Sequence, residues 1–199
     1  MLDFFTSPEF LLFARLFVGG VFIVSGIAKW VDKAGTEASM SRYRFLPVGS
    51  GRLIANVFPM LELLVGLMLV LGLFTSAAAL GAIALFAVFT GLIVYDLARG
   101  QNQSCHCFGR LSDERLTPMA VVRNLVLMAL SMLVAFGAGG WFSLDSVLGI
   151  SRDGASATQA DAANVVPIAL LALLAVSIVV YGGQAVATVR NTLRGLGFR

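Results

Sequence analysis

The 199-residue chain is 58% hydrophobic and only 13% charged, with a mean hydropathy of +0.90 and a formal net charge of +3. A soluble domain of this length would have to hide that apolar surface in a single core, so the composition excludes that class and directs the reading to a bilayer.

Five stretches reach the roughly 20 apolar residues that carry a helix across about 30 Å of hydrocarbon. They predict an all-α fold, a polytopic membrane helical bundle. The first, over 10–28, carries Arg15; its flank MLDFFTSPEF offers no basic run before it and no small-residue cleavage site follows, so this helix is expected to stay in the mature protein. The second, over 53–74, contains Pro59 and Glu62, and the third, over 77–95, has no charge. Thr117 and Pro118 suit the N-cap and first turn of the fourth, over 118–137, which contains Arg123 and Asn124. The fifth, over 165–187, is again uncharged. Gly19, Gly20, Gly66 and Gly91 suit close helix approach in lipid. The expected organisation is a four-helix unit over 1–137, with a short membrane-proximal loop at 99–117. An extramembrane linker at 138–163 follows, anchored by Trp141, and then a fifth helix with a basic tail over 164–199.

With five spans, twelve of the fourteen basic residues fall on the side of the 99–117 loop and the C-terminus, leaving Arg15 and Arg152 on the other. The positive-inside rule places that side in the cytoplasm.

The two cysteines and the one histidine are consecutive, Cys105, His106 and Cys107, within the polar stretch QNQSCHCFGR of that loop. Chance adjacency is the plainest reading. A second is thiol–disulfide exchange: Arg99, Arg110 and Arg115 are basic neighbours of the kind that favour a thiolate, and a second cysteine two residues away can resolve a mixed disulfide. A bridge across one intervening residue is strained and easily reduced, which suits a carrier better than a staple. A third is metal binding, since two sulfurs and an imidazole attract Cu(I) or Zn(II). Three consecutive residues wrap a tetrahedral ion poorly and no other Cys or His completes the shell, so no metal ligand set is assigned.

Charges inside a bilayer usually face the bundle interior with a partner. Counted from the side of the cysteine loop, Glu62 lies about 13 Å deep and Arg123 about 7 Å. Those depths allow a Glu62–Arg123 ion pair that Lys29 can also reach, either as architecture or as a polar pocket. Arg15 sits toward the opposite face, where its side chain can snorkel.

Together, Arg15, FIVSGIAKW (Ser25, Gly26, Lys29), RYRFLP and FPMLELLVGLMLVLGLF (Pro59, Glu62, Gly66) resemble the DoxX-like membrane family. The added CHCFG and the Arg123–Asn124 pair resemble its redox-associated branch, the methylamine-utilisation protein MauE. The resemblance covers residues 10–137 and implies a bacterial inner-membrane accessory protein for thiol–disulfide exchange. It would support maturation of a periplasmic enzyme such as the methylamine dehydrogenase small subunit. By the same resemblance Cys105 and Cys107 are the redox pair, and Arg15, Lys29, Glu62, Arg123 and Asn124 are the polar residues of the bundle. His106 departs from the glycine more usual in the family and is either a local base for the thiols or a tolerated loop residue. The implied partners are a thioredoxin-like periplasmic protein and a disulfide-rich exported client, besides the lipid bilayer; an oligomer is compatible, and no nucleic acid is expected. Thiol–disulfide oxidoreductase is the enzymatic form of this reading. The alternatives are a quinone-linked oxidoreductase subunit, with quinone as cofactor, and a soft-metal transporter or binding protein. Periplasmic work requires the cysteine loop outside, against the charge count.

Overall fold

Ser7 starts the first helix, α1 (Pro8–Val31), by accepting a hydrogen bond from the Phe10 amide at 3.4 Å, with Pro8 in the first turn where its missing N–H costs nothing. The computed structural model describes residues 7–41, 43, 50–99, 118–137 and 165–180. Cys105, His106 and Cys107, Trp141 with the 138–163 linker, and the tail after 180 lie outside the described residues.

Four helices are long and apolar enough to cross a membrane: α1, α3 (Ser50–Leu71), α4 (Thr75–Ala98) and α5 (Pro118–Phe136). A further apolar helix, α6, is described over Val165–Val180. The described residues contain no strand, and the chain is a multi-pass, all-helical membrane protein.

A short helix, α2 (Lys33–Met40), interrupts what the composition left as loop. Asp32 makes the corner: its amide closes α1 on the Ala28 carbonyl, and its carboxylate caps α2 by accepting from the Gly35 amide at 3.2 Å. Thr36, buried beneath this corner, donates to the Asp32 carbonyl.

Between α3 and α4 the chain reverses within three residues. Gly72 adopts φ 69°, its amide bonds the Leu69 carbonyl and the Leu73 amide bonds the Met68 carbonyl. That paired pattern is the Schellman closure, and it ends α3 at Leu71, three residues short of the expected limit. Phe74, at φ 45°, carries the strain of the turn and begins α4.

Helix α1 is central. It packs chiefly on α3, also on α5, and through Phe22 on Phe86 of α4, whose rings lie 4.6 Å apart. The α1–α3 contact is backbone on backbone: a Cβ on Gly66 would sit 2.9 Å from the Gly19 carbonyl oxygen, and one on Gly26 3.0 Å from the Pro59 carbonyl oxygen. Small residues act here as they do between lipid-embedded helices, by letting the chains approach until dispersion forces are large. Gly20 receives α6, for a Cβ there would meet Val176 Cγ2 at 2.8 Å, and Ala172, Val176 and Val180 form the buried stripe of α6 at helical spacing. Gly91, by contrast, has nothing within 4 Å of the Cβ position, so it takes no part in close packing.

These glycines separate by test. Gly66→Ala forces α1 and α3 apart and is expected to lower the melting temperature in detergent by about 5 °C or more. Gly91→Ala gains helix propensity worth up to about 1 kcal/mol and leaves it unchanged or raised. Equal effects at the two positions would refute backbone contact as the basis of the α1–α3 interface.

Candidate functional site

The buried face of α3 is Gly51, Ala55, Pro59, Glu62, Gly66 and Leu69, a stripe of three- and four-residue steps in which Glu62 is the one charged member. On α1, Ser25 and Lys29 are four residues apart and share a face, Lys29 in the last turn where a cation complements the carbonyl end of the helix. The close approach at Gly26 and Pro59 presses these faces together.

Lys29 Nζ donates to Glu62 Oε1 at 2.5 Å and to Ser25 Oγ at 2.7 Å, and the Ser25 hydroxyl donates to the same carboxylate oxygen at 3.1 Å. The ammonium also lies 4.6 Å from the centre of the Phe89 ring on α4. Lys29 is 3% exposed and Glu62 1%. Two full charges are thus held inside the protein, each compensating the other's lost solvation.

Beside the pair is a cavity of about 30 Å³ lined by Ser25, Lys29, Glu62, Arg123 and Asn124 on one side, and by Val21, Phe22, Phe86, Phe89 and Leu127 on the other. Arg123 and Asn124 come from the second turn of α5, which lies against α1 and α4. A void that admits benzene measures about 150 Å³, so this chamber has no room for a quinone ring, and a quinone would need another place.

Of the residues singled out from sequence, the structure gathers Lys29, Glu62, Arg123 and Asn124 around this chamber. It gives Glu62 to Lys29 as ion-pair partner, where depth alone had suggested Arg123, because α3 lies most closely on α1. Arg15 stands apart, fourteen residues before Lys29 and about 21 Å away along α1. It is buried in the bundle at 4% exposure, not extended to a membrane surface as its length allowed. Ser25 completes the network; its four-residue spacing from Lys29 was the available signal.

A second cluster was not read from sequence. Tyr43, after α2, donates to Asp96 Oδ2 at 2.7 Å in the last turn of α4, and its ring lies 6.1 Å from that of Tyr95. Arg99 covers the other aromatic partner, its guanidinium carbon 4.5 Å from the Tyr95 ring centre. A pairing across 53 residues leaves no local pattern, so only the fold reveals it.

The sequence profile of the family described as Methylamine utilisation protein MauE matches residues 7–137, the stretch that builds α1 to α5. The chain belongs to the MauE family. The methylamine utilization protein MauE of Paracoccus denitrificans is 31% identical over 138 residues, covering 69% of this chain and 74% of that protein. Its counterpart from Methylophilus methylotrophus is 30% identical over 131 residues, covering 65% and 69%. No solved structure gives a significant match. Helix α6 lies beyond the matched span.

Removing one member of the buried pair leaves the other charge uncompensated, at a cost of about 3–5 kcal/mol. Lys29→Met is therefore expected to lower the melting temperature by about 10 °C, and Lys29→Met/Glu62→Met to recover most of the loss. Additive effects in this double-mutant cycle would show that the two side chains are not coupled.

Proposed function

We propose that this chain is an inner-membrane accessory protein of methylamine utilisation that exchanges thiols and disulfides through Cys105 and Cys107. The observation that carries the reading is that the MauE match over 7–137 contains both cysteines of the chain, two residues apart in the polar stretch between α4 and α5. Membership of the family supports the methylamine context, and the chemistry of a Cys-x-Cys pair supports exchange.

In the forward step a client thiolate attacks one sulfur of the oxidised pair. The Cys105–Cys107 bond breaks, a mixed disulfide forms, and the departing thiolate takes up a proton. A second client thiol, once deprotonated, attacks the mixed disulfide, leaving a client disulfide and a Cys105/Cys107 dithiol. Two electrons pass from client to carrier, and a thioredoxin-like partner in its disulfide form restores the carrier by the same exchange, leaving as the dithiol with those two electrons and two protons. The client is a disulfide-rich exported enzyme such as the methylamine dehydrogenase small subunit, which requires the loop on the periplasmic side. The bundle, with its anchored α4 and α5, is the frame that presents the pair.

Treatment of intact cells with a membrane-impermeant maleimide reads both sidedness and redox state. Labelling that appears only after mild reduction is the expected result; labelling that needs permeabilised cells would place the pair in the cytoplasm and overturn periplasmic maturation. Independently, either Cys105→Ser or Cys107→Ser is expected to accumulate a mixed disulfide that dithiothreitol releases. Normal growth of the double Ser variant on methylamine, with no such adduct from either single variant, would remove the exchange function altogether.

A further inference from the structure

The Lys29–Glu62 pair leaves one account open. Glu62 Oε1 accepts from both Lys29 and Ser25, yet Oε2 of the same carboxylate, equally buried, has no hydrogen-bond partner. A carboxylate oxygen inside a membrane protein without a donor forfeits hydration worth more than a typical hydrogen bond. Such an atom calls for an explanation by a bound species.

Three observations define that species. Glu62 lines the chamber, so a donor reaching Oε2 can sit there. Asn124, 6% exposed, lines it too, and its amide both donates and accepts. The volume, about 30 Å³, corresponds to one or two water-sized molecules. A free alkylammonium does not fit the same chemistry, because Lys29 already occupies the ammonium position, on Glu62, Ser25 and the Phe89 ring at once.

We infer that the chamber is a binding site for one ordered water molecule, which donates to Glu62 Oε2 and is hydrogen-bonded to the Asn124 amide. This water completes the solvation of the carboxylate and joins α3 to α5, two helices that the ion pair alone does not connect. The inference is independent of the cysteine chemistry: a loop that exchanges no disulfides leaves it intact.

The sign of a cavity-filling substitution tests it. Val21 lines the apolar wall and is 3% exposed, and Val21→Ile adds one methylene toward the chamber. If the space holds water, the added group displaces it, strands Oε2 and the amide, and lowers the melting temperature by about 3 °C or more. A dry void would instead be filled to advantage and the melting temperature would rise. Because overpacking also destabilises, the second measurement uses the unaltered chain. Crystals of the full protein grown from a lipidic mesophase should show a solvent peak about 3 Å from both Glu62 Oε2 and the Asn124 amide. No peak there, or a direct bond from Oε2 to a protein donor, overturns the inference whatever the sign of the shift.

Discussion

The contact on which the remaining structure depends is the backbone approach of α1 and α3 at Gly19/Gly66 and Gly26/Pro59. Two helices kept apart by ordinary side chains have axes roughly 8–10 Å from one another. Here the atoms facing a missing Cβ are main-chain oxygens of the other helix. Only at such a separation can Ser25 and Lys29 both meet one oxygen of Glu62, because Lys29 must fold back over its own helix to do so. The glycines therefore act on the charges indirectly: they set the distance, and the distance makes the ion pair.

Buried pairs of this kind often gain nothing over an apolar replacement of similar volume. What the pair does penalise is a shift of α1 along α3, because a displacement by one turn would leave both charges in a medium that does not solvate them. Aromatic residues close the site. Phe89 of α4 faces the ammonium and also packs on Phe58 of α3 at 5.7 Å, so the same ring stabilises the charge and holds two helices. The outer faces of α3 to α6 carry large exposed apolar side chains such as Leu53, Met60, Leu80, Val126 and Leu174, which suit lipid and contribute little to the choice of partner helix. Specificity in this bundle comes from the small residues and the few polar ones.

Much of this was legible in the sequence, and the reason is physical. An uninterrupted apolar run of helical length has few alternatives in a membrane, so the four spanning helices follow from composition. A charge within such a run must find a partner, so Glu62, Lys29 and Arg123 stand out. The identity of the partner does not follow, because depth orders residues along the membrane normal and says nothing of which helix is the neighbour. Arg15 shows the same limit: its length allowed a surface position, and the packing around α1 kept it inside. Gly91 has the same chemistry as Gly66 and no close contact, since a glycine's function depends on what faces it. The α2 corner was readable in principle from Asp32 three residues before Gly35, but a helix of eight residues with little apolar character gives a faint signal against a membrane background.

The stretch that carries the cysteines joins α4 to α5, two helices whose adjoining ends are both tied into the bundle. Both ends of that stretch arise from fixed structure. On one side, Asp96 is tied to Tyr43 and Arg99 rests on Tyr95, so the last turn of α4 is bound to the segment after α2. On the other, Asn124 is buried beside the Glu62 chamber, and the first turns of α5 belong to a helix packed on α1 and α4. Fixing the two ends of a connecting segment limits the conformations open to it and so the chain entropy it can lose. The charged chamber and the Tyr43–Asp96 bond therefore hold the end of α4 and the start of α5 in place on either side of the stretch that joins them.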